Sequence, residues 1–254
     1  MTKQEKRIKV TGTILCEIFT VFTIIMLLKN GEPDRLALSF ATLLLAAMPL
    51  LLEKALKCRI TLPVYLFALA YAVGPMLGHC WKLYYTVPVW DKLLHISGGV
   101  MFAILGAYFF DLMVREEKYP GAEAVFALCF SMAIAVLWEF FEFGADTFLG
   151  MDMQDDTVIH SLTSYILGES LGVTGSIQDI RSVTVNGIAL PGYIDIGLID
   201  SMLDMLLETL GAAVTCLILW LDRGKHPLIR DERFTQRRQD IYARKEKAKW
   251  QKDM

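Results

Sequence analysis

Six runs of predominantly apolar residues, at 10–28, 36–52, 62–77, 93–114, 125–143 and 196–221, leave this chain of 254 residues little choice of fold. A helix needs roughly 20 residues, within a range of about 17–25, to cross the hydrocarbon core of a bilayer. Five runs reach that length, and the third does so if it continues through residues 79–81. Hydrocarbon offers no water to backbone N–H and C=O groups, so a spanning segment must satisfy them internally, as an α-helix does. Composition agrees: only 21% of the residues are charged, against about a quarter in soluble domains, and the apolar ones are bunched. The expectation is an all-α integral membrane protein with six transmembrane helices. It comprises a membrane domain over 1–221 and a basic tail over 222–254.

Charge between the runs sets the orientation. With the N-terminus in the cytoplasm and alternating sides, 20 of the 25 Lys and Arg residues fall on the cytoplasmic side. They are Lys3, Lys6, Arg7 and Lys9, then Lys54, Lys57 and Arg59, then Arg115 and Lys118, then eleven in the tail. Lys29, Arg35, Lys82, Lys92 and Arg181 fall on the other side. Basic residues accumulate in the cytoplasm because translocating them is disfavoured. Both termini are therefore expected there. The first run is too long for a signal-peptide core, and KNGEPD after it lacks a small-x-small cleavage pattern. The five cysteines, Cys16, Cys58, Cys80, Cys129 and Cys216, are scattered, which argues against a disulfide framework or zinc ribbon. No Walker, dinucleotide or nucleophile-elbow motif occurs. The tail reads as a solvated segment lying against anionic headgroups. Membrane lipids are the expected partners, and nucleic acid is not.

The long loop, 147–195, is about 50 residues and acidic, with Asp152, Asp155, Asp156, Glu169, Asp179 and Asp195 against Arg181. DTVIHSLTSYILG places Val158, Ile159, Leu162, Tyr165 and Ile166 at helical spacing, so a short amphipathic helix is expected. Two β-prone triplets around Asn186-Gly187 signal a hairpin. A loop of this length with its own structure is expected to be functional, capping the outer face.

Carboxylates in the apolar runs are the feature that needs explaining. LWEFFEFGAD puts Glu139, Glu142 and Asp146 in the last turns of the fifth run. VWDKLLHISGG puts Asp91 and His95 four apart at the start of the fourth. In the sixth, Asp200, Asp204 and Glu208 recur every four residues, one stripe down one helix face. Alternating helix directions bring all three motifs to the same side, and a rise of about 1.5 Å per residue carries Glu208 toward mid-bilayer. An acid facing lipid at the bilayer centre costs about 2.5–3.5 kcal/mol. The acids should therefore face a shared interior, and crowding them calls for shared protons, Lys92 or a cation. Oxygen ligands with one imidazole suit Mg²⁺, Mn²⁺ or Ca²⁺, with Zn²⁺ also compatible. His95, Glu139, Glu142, Asp200 and Asp204 are the candidate metal ligands. Of these, His95, Glu139, Glu142 and Asp204 are also the candidate catalytic groups. Asp91, Asp146 and Glu208 complete the polar site.

Each element also has a plainer reading. Asp91 and Asp200 can be helix caps. His95 can be an interfacial histidine. Glu139 and Glu142 can pair with Lys92 or Trp81. His160 reads as a surface histidine. Glu17, the one acid deep in the first run, can partner the cluster or pair near the inner face. Gly98, Gly99 and Gly106, and Gly211-Ala212-Ala213, read as sites of close helix packing.

The three motifs in order, WDKLLH, WEFFEF and DSMLDM followed by LGA, resemble the YjdF-like family of uncharacterised bacterial membrane proteins. The likeness runs over roughly 10–221, with Ser201 where that family usually has Thr. The last three spans are also similar to VanZ-like proteins. The resemblance implies a bacterial multi-pass protein of the cytoplasmic membrane with an acid-rich site, and it supplies no reaction. Two function classes stand, with a non-catalytic scaffold as a third. One is a divalent-metal-dependent enzyme acting on a lipid or envelope precursor at the outer leaflet. The other is a proton- or cation-coupled carrier, to which mid-membrane acids are suited.

The charge split yields a direct expectation. In intact cells, Ser176→Cys should react with a membrane-impermeant maleimide added from outside. Labelling that requires access from the cytoplasm would overturn the orientation.

Overall fold

A computed structural model of the chain describes residues 2–32, 35–55, 59–114 and 120–221. The basic tail 222–254 and Lys57, Cys58, Arg115 and Lys118 lie outside the described residues. The helices are α1 (Lys3–Asn30), α2 (Leu36–Ala55), α3 (Leu62–Cys80), α4 (Leu83–Thr86), α5 (Trp90–Met113), α6 (Pro120–Leu149) and α7 (Leu198–Leu221). All but α4, a single turn, are long and apolar enough to cross a membrane. The third span runs on to Cys80, the extension that its length required. Local chemistry explains the ends of α1. Thr2 and Glu5 form a reciprocal capping box at its start, and Gly31 closes it in the left-handed region at φ 72°.

Internal packing divides the chain into two units, Met1–Ala133 with Leu207–Met254, and Ile134–Leu206. In the first, Val64, Ala103, Ile104, Ala107, Tyr108, Ala127, Ala212, Cys216 and Leu219 form one buried cluster from α3, α5, α6 and α7. Its small residues let backbones approach. A methyl on Gly99 would collide with the Glu208 carbonyl, and one on Gly211 with the Ile96 carbonyl. A methyl on Gly106 would meet Ala127 Cα at 2.9 Å. The close packing read from these glycines is thus found where α5 crosses α7 and α6.

Around α1 the packing is threaded with polar groups that satisfy one another. The Thr20, Thr23 and Thr42 hydroxyls donate to carbonyls one turn back. Thr13 and Tyr65 share a hydrogen bond of 2.7 Å, and Trp81 Nε1 donates to Thr23 Oγ1. Lys9 is buried rather than part of a free tail. Its ammonium lies 2.5 Å from both Glu53 Oε1 and the Ile60 carbonyl, over the Tyr65 ring. Its charge is therefore neutralised in place by Glu53.

The second unit carries the ends of α6 and α7 and the chain between them, which starts later and ends later than the 147–195 expected. Three two-stranded antiparallel sheets form there: β1 (Thr157–Ile159) with β6 (Tyr193–Asp195), β2 (Leu162–Ser164) with β3 (Gly175–Ile177), and β4 (Val183–Val185) with β5 (Ile188–Leu190). The last is the hairpin read from Asn186-Gly187, both at positive φ as its tight turn demands. The helical element within DTVIHSLTSYILG is only a 3₁₀ turn, Tyr165–Leu167. The residues ahead of it, expected in the same amphipathic helix, are β1 and β2. Thr157, Val158, Ile159 and Thr163 are β-branched, and their pairing partners lie at 193–195 and 175–177. Local periodicity carries no trace of such distant partners.

The crossing glycines give a stability expectation. Gly99→Ala and Gly211→Ala should each destabilise the protein by about 1–3 kcal/mol, the usual penalty of overpacking. Gly121→Ala, where nothing lies within 4 Å of the added methyl, should not. Thermal unfolding in detergent or nanodiscs measures the difference.

Candidate functional site: buried acids and a histidine in the spanning helices

The α5–α7 crossing in the first unit sets the surroundings of His95. Asp91, in the first turn of α5, is not its N-cap, which is Val89. Its carboxylate instead lies 3.5 Å from His95 Nε2 through Oδ1 and accepts from Lys92 Nζ at 3.0 Å through Oδ2. The other ring nitrogen, His95 Nδ1, faces Glu208 Oε2 at 3.9 Å. One buried imidazole thus stands between two carboxylates. Its neighbours follow from helix geometry, since Asp91 is one turn before it and Gly99 one turn after, where α7 comes closest. Tyr71 of α3 completes this wall: a methyl on Gly98 would meet its hydroxyl at 2.9 Å.

In the second unit the acids of α6 and α7 are buried as well: Glu139, Glu142, Asp200 and Asp204. Trp138 Nε1 donates to Glu142 Oε1 at 2.8 Å. Gln154 reaches two helices with one amide: Nε2 donates to Ser201 Oγ at 2.5 Å and to Glu139 Oε2 at 3.4 Å. The backbone beside it is also held. Met153 N and Gln154 N donate to the two oxygens of Asp146, and Asp155 N donates to Asp200 Oδ2 at 3.0 Å. Gly197, at φ 82°, sits so close to Gln154 that a Cβ there would strike the Gln154 side chain. Residues 153–155 are therefore strapped across the end of α6 and the start of α7.

Several plainer readings give way to these contacts. Glu139 accepts from Gln154 and Glu142 from Trp138. The Trp81 N–H serves Thr23. The side chain at the start of α7 that bonds its backbone is Asp195, whose Oδ2 accepts from Ile199 N at 2.7 Å. Asp200 holds the strap. His160 is exposed, with Nδ1 on the Ile180 carbonyl, as expected of a surface histidine. On the loop, the carboxyl of Asp156 is pushed above the usual carboxylate range, first by desolvation and then by Asp152, Asp195 and Asp146.

The structure thus sets Asp91, His95 and Glu208 together in one unit, and gathers Glu139, Asp146 and Asp200 around 153–155 in the other. Four residues of this polar interior were not singled out from the sequence. Asp111 and Glu123 are buried acids of α5 and α6 in the first unit, and the place of Asp111 inside the apolar run 93–114 was an available signal. Tyr71 and Gln154 gave none, since neither carries a charge nor repeats at a helical interval.

A family model described as predicted membrane protein (DUF2238) matches residues 12–225. The match bears out the YjdF-like resemblance and does not extend to the VanZ-like one. No curated protein and no solved structure matches the chain.

The strap has a measurable consequence. Gln154→Ala removes the bonds to Glu139 and Ser201, so amide hydrogen exchange over 151–156 should quicken by about tenfold or more. Glu169→Ala, elsewhere on the loop, should leave that segment unchanged.

Proposed function

The chain belongs to the DUF2238 family of predicted membrane proteins, and for it we propose a divalent-cation-dependent enzyme acting on a lipid or envelope precursor. The proposed location is the outer leaflet of the bacterial cytoplasmic membrane, with both chain termini on the cytoplasmic side. The observation that carries the reading is the α7 stripe. Asp200, Asp204 and Glu208, one turn apart, are all buried in a helix apolar enough to span. Burial costs each carboxylate its hydration, and apolar packing alone would not call for three of them on one helix face.

The residues fit a hard cation. Glu139, Glu142, Asp200 and Asp204 supply oxygen donors, and three of them are already oriented by a hydrogen bond from Gln154, Trp138 or the Asp155 backbone. Such outer-shell donors are what ligating carboxylates use to hold their direction. Mg²⁺, Mn²⁺ and Ca²⁺ suit this donor set. A bound ion would polarise a phosphoryl or acyl oxygen or make bound water more acidic. His95 is proposed as the general base of the reaction. Asp91 and Glu208, facing its two ring nitrogens, would stabilise the imidazolium that results. Residues 153–155 would limit water access and position the substrate headgroup.

A carrier driven by protons or cations is the second reading. The Asp91, His95 and Glu208 sequence favours it, because titratable groups placed one after another through a spanning unit are what a proton relay requires. A polar core that only fixes helix packing is the remaining reading.

Elemental analysis of purified protein separates the three. On the enzyme reading, the wild type carries about one divalent ion per chain, and Asp204→Asn loses the ion while its expression is unchanged. A metal-free wild type that takes up protons into liposomes, with uptake abolished by Glu208→Gln, would replace this reading with the carrier. A metal-free, inactive wild type would leave the scaffold.

A further inference from the structure

Arg59 stands two residues before Thr61, the N-cap of α3, and takes no part in the site described above. Its Nη1 is enclosed by protein, and among the described residues no hydrogen bond or ion pair reaches it. The residue as a whole is only partly buried, so the guanidinium fork is not sealed off. The acids that could neutralise it are committed. Glu53 Oε1 accepts from Lys9 Nζ and from Ile60 N. Asp111 and Glu123, the buried acids of α5 and α6 at this end of the first unit, are engaged and form no ion pair with Arg59. The helix start beside Arg59 adds to the positive field. Thr61 opens α3 without a side-chain cap, and Pro63 in the first turn has no N–H to give. The amides of Leu62 and Val64 thus meet no side-chain acceptor at the positive end of the helix dipole. Cations are in surplus around this end as well. The bond from Lys9 to the Ile60 carbonyl brings the start of α1 here, and Lys3, Lys6, Arg7 and Lys54 are exposed.

We propose that Arg59 and the start of α3 form a site for the headgroup phosphate of an anionic phospholipid.

The argument begins with the guanidinium. An arginine that only snorkelled to the surface would hold its whole fork in water. Arg59 instead keeps one nitrogen enclosed and unmatched, which forfeits a charge-assisted hydrogen bond. Phosphate oxygens match the fork and take two parallel bonds from it. The uncapped amides of a helix start bind the same group. Depth selects lipid as the source. α1, α2 and α3 are all apolar enough to span, and Arg59 lies just outside the first residue of α3. That is the level where hydrocarbon gives way to headgroups, and basic pockets between spanning helices at that level bind anionic lipids. Charge selects the headgroup. With Glu53 taken by Lys9, no carboxylate is offered to the amine of a zwitterionic lipid. Inorganic phosphate carries the same oxygens and is the alternative source. This inference does not depend on the proposed enzyme or carrier activity.

Native mass spectrometry of the full-length protein in detergent tests it. Phosphatidylglycerol, phosphatidylcholine and inorganic phosphate are titrated in separately, and bound molecules are counted. The wild type should saturate first with about one phosphatidylglycerol per chain, bound about tenfold or more tighter than phosphatidylcholine or inorganic phosphate. Arg59→Gln should weaken that binding by about tenfold or more, as loss of charge-assisted bonds does. Arg59→Lys, which keeps the charge without the fork, should fall between the two. Lys6→Gln makes the same change of charge at an exposed position of the same end and should alter the affinity by about twofold or less. Thermal unfolding in phosphatidylcholine nanodiscs checks that each variant is folded, and Arg59→Lys carries the test should Arg59→Gln unfold. Equal affinity for the two lipids, inorganic phosphate bound as tightly as phosphatidylglycerol, or wild-type affinity in both Arg59 variants would each overturn the proposal. So would a loss in Lys6→Gln as large as that in Arg59→Gln.

Discussion

The contact on which the polar interior depends is between two backbones. Gly99 of α5 lies against the Glu208 carbonyl of α7, and Gly211 of α7 against the Ile96 carbonyl of α5. Neither position has room for a Cβ, so two helices that would ordinarily be held 8–10 Å apart by side chains come closer. His95 precedes Gly99 by one turn and Glu208 precedes Gly211 by three residues, so the approach sets imidazole and carboxylate face to face. Below them Ala103, Ala107 and Ala212 continue the close packing with small residues. The facing of His95 and Glu208 thus follows from the absence of side chains at two glycines.

The second constraint is the bilayer. Water cannot complete the hydrogen bonds of a polar group inside hydrocarbon, so the chain must complete them itself. Most of the interior obeys this with short local solutions. Threonine hydroxyls turn back to carbonyls on their own helix, and Lys9 is matched by Glu53 and the Ile60 carbonyl. The acids of α6 and α7 are different, because the groups that orient Glu139 and Asp200 come from the chain at 153–155. Their burial, with residues 153–155 bonded to Glu139 and Asp200, is the observation on which the proposed cation site rests.

How much of this was legible in the sequence depended on how local the signal was. The six spans were, because hydrocarbon thickness fixes a length that a single run must meet. So were the packing glycines and the Asn186-Gly187 turn, where one residue type answers one steric demand. The strands at 157–159 and 162–164 were not: their apolar spacing suits a helix, and strands 193–195 and 175–177, which hold them flat, are distant in the chain. Asp91 illustrates a subtler limit. Its place at a helix start suggested a cap, yet its carboxylate is turned to Lys92 and His95, a choice made by tertiary surroundings. Gln154 was invisible for the same reason, since its importance lies wholly in reaching α6 and α7 together.

The central claim, that the buried carboxylates exist to hold a divalent cation, is most directly tested by titrating the protein in lipid nanodiscs with Mn²⁺ and following free ion by electron paramagnetic resonance. The account expects saturable uptake of about one Mn²⁺ per chain. That uptake should survive conversion of the loop acids Asp152, Asp156 and Asp195 to asparagine, and be lost in the Glu139→Gln, Asp200→Asn pair. No saturable uptake, or uptake abolished by the loop substitutions alone, would contradict it.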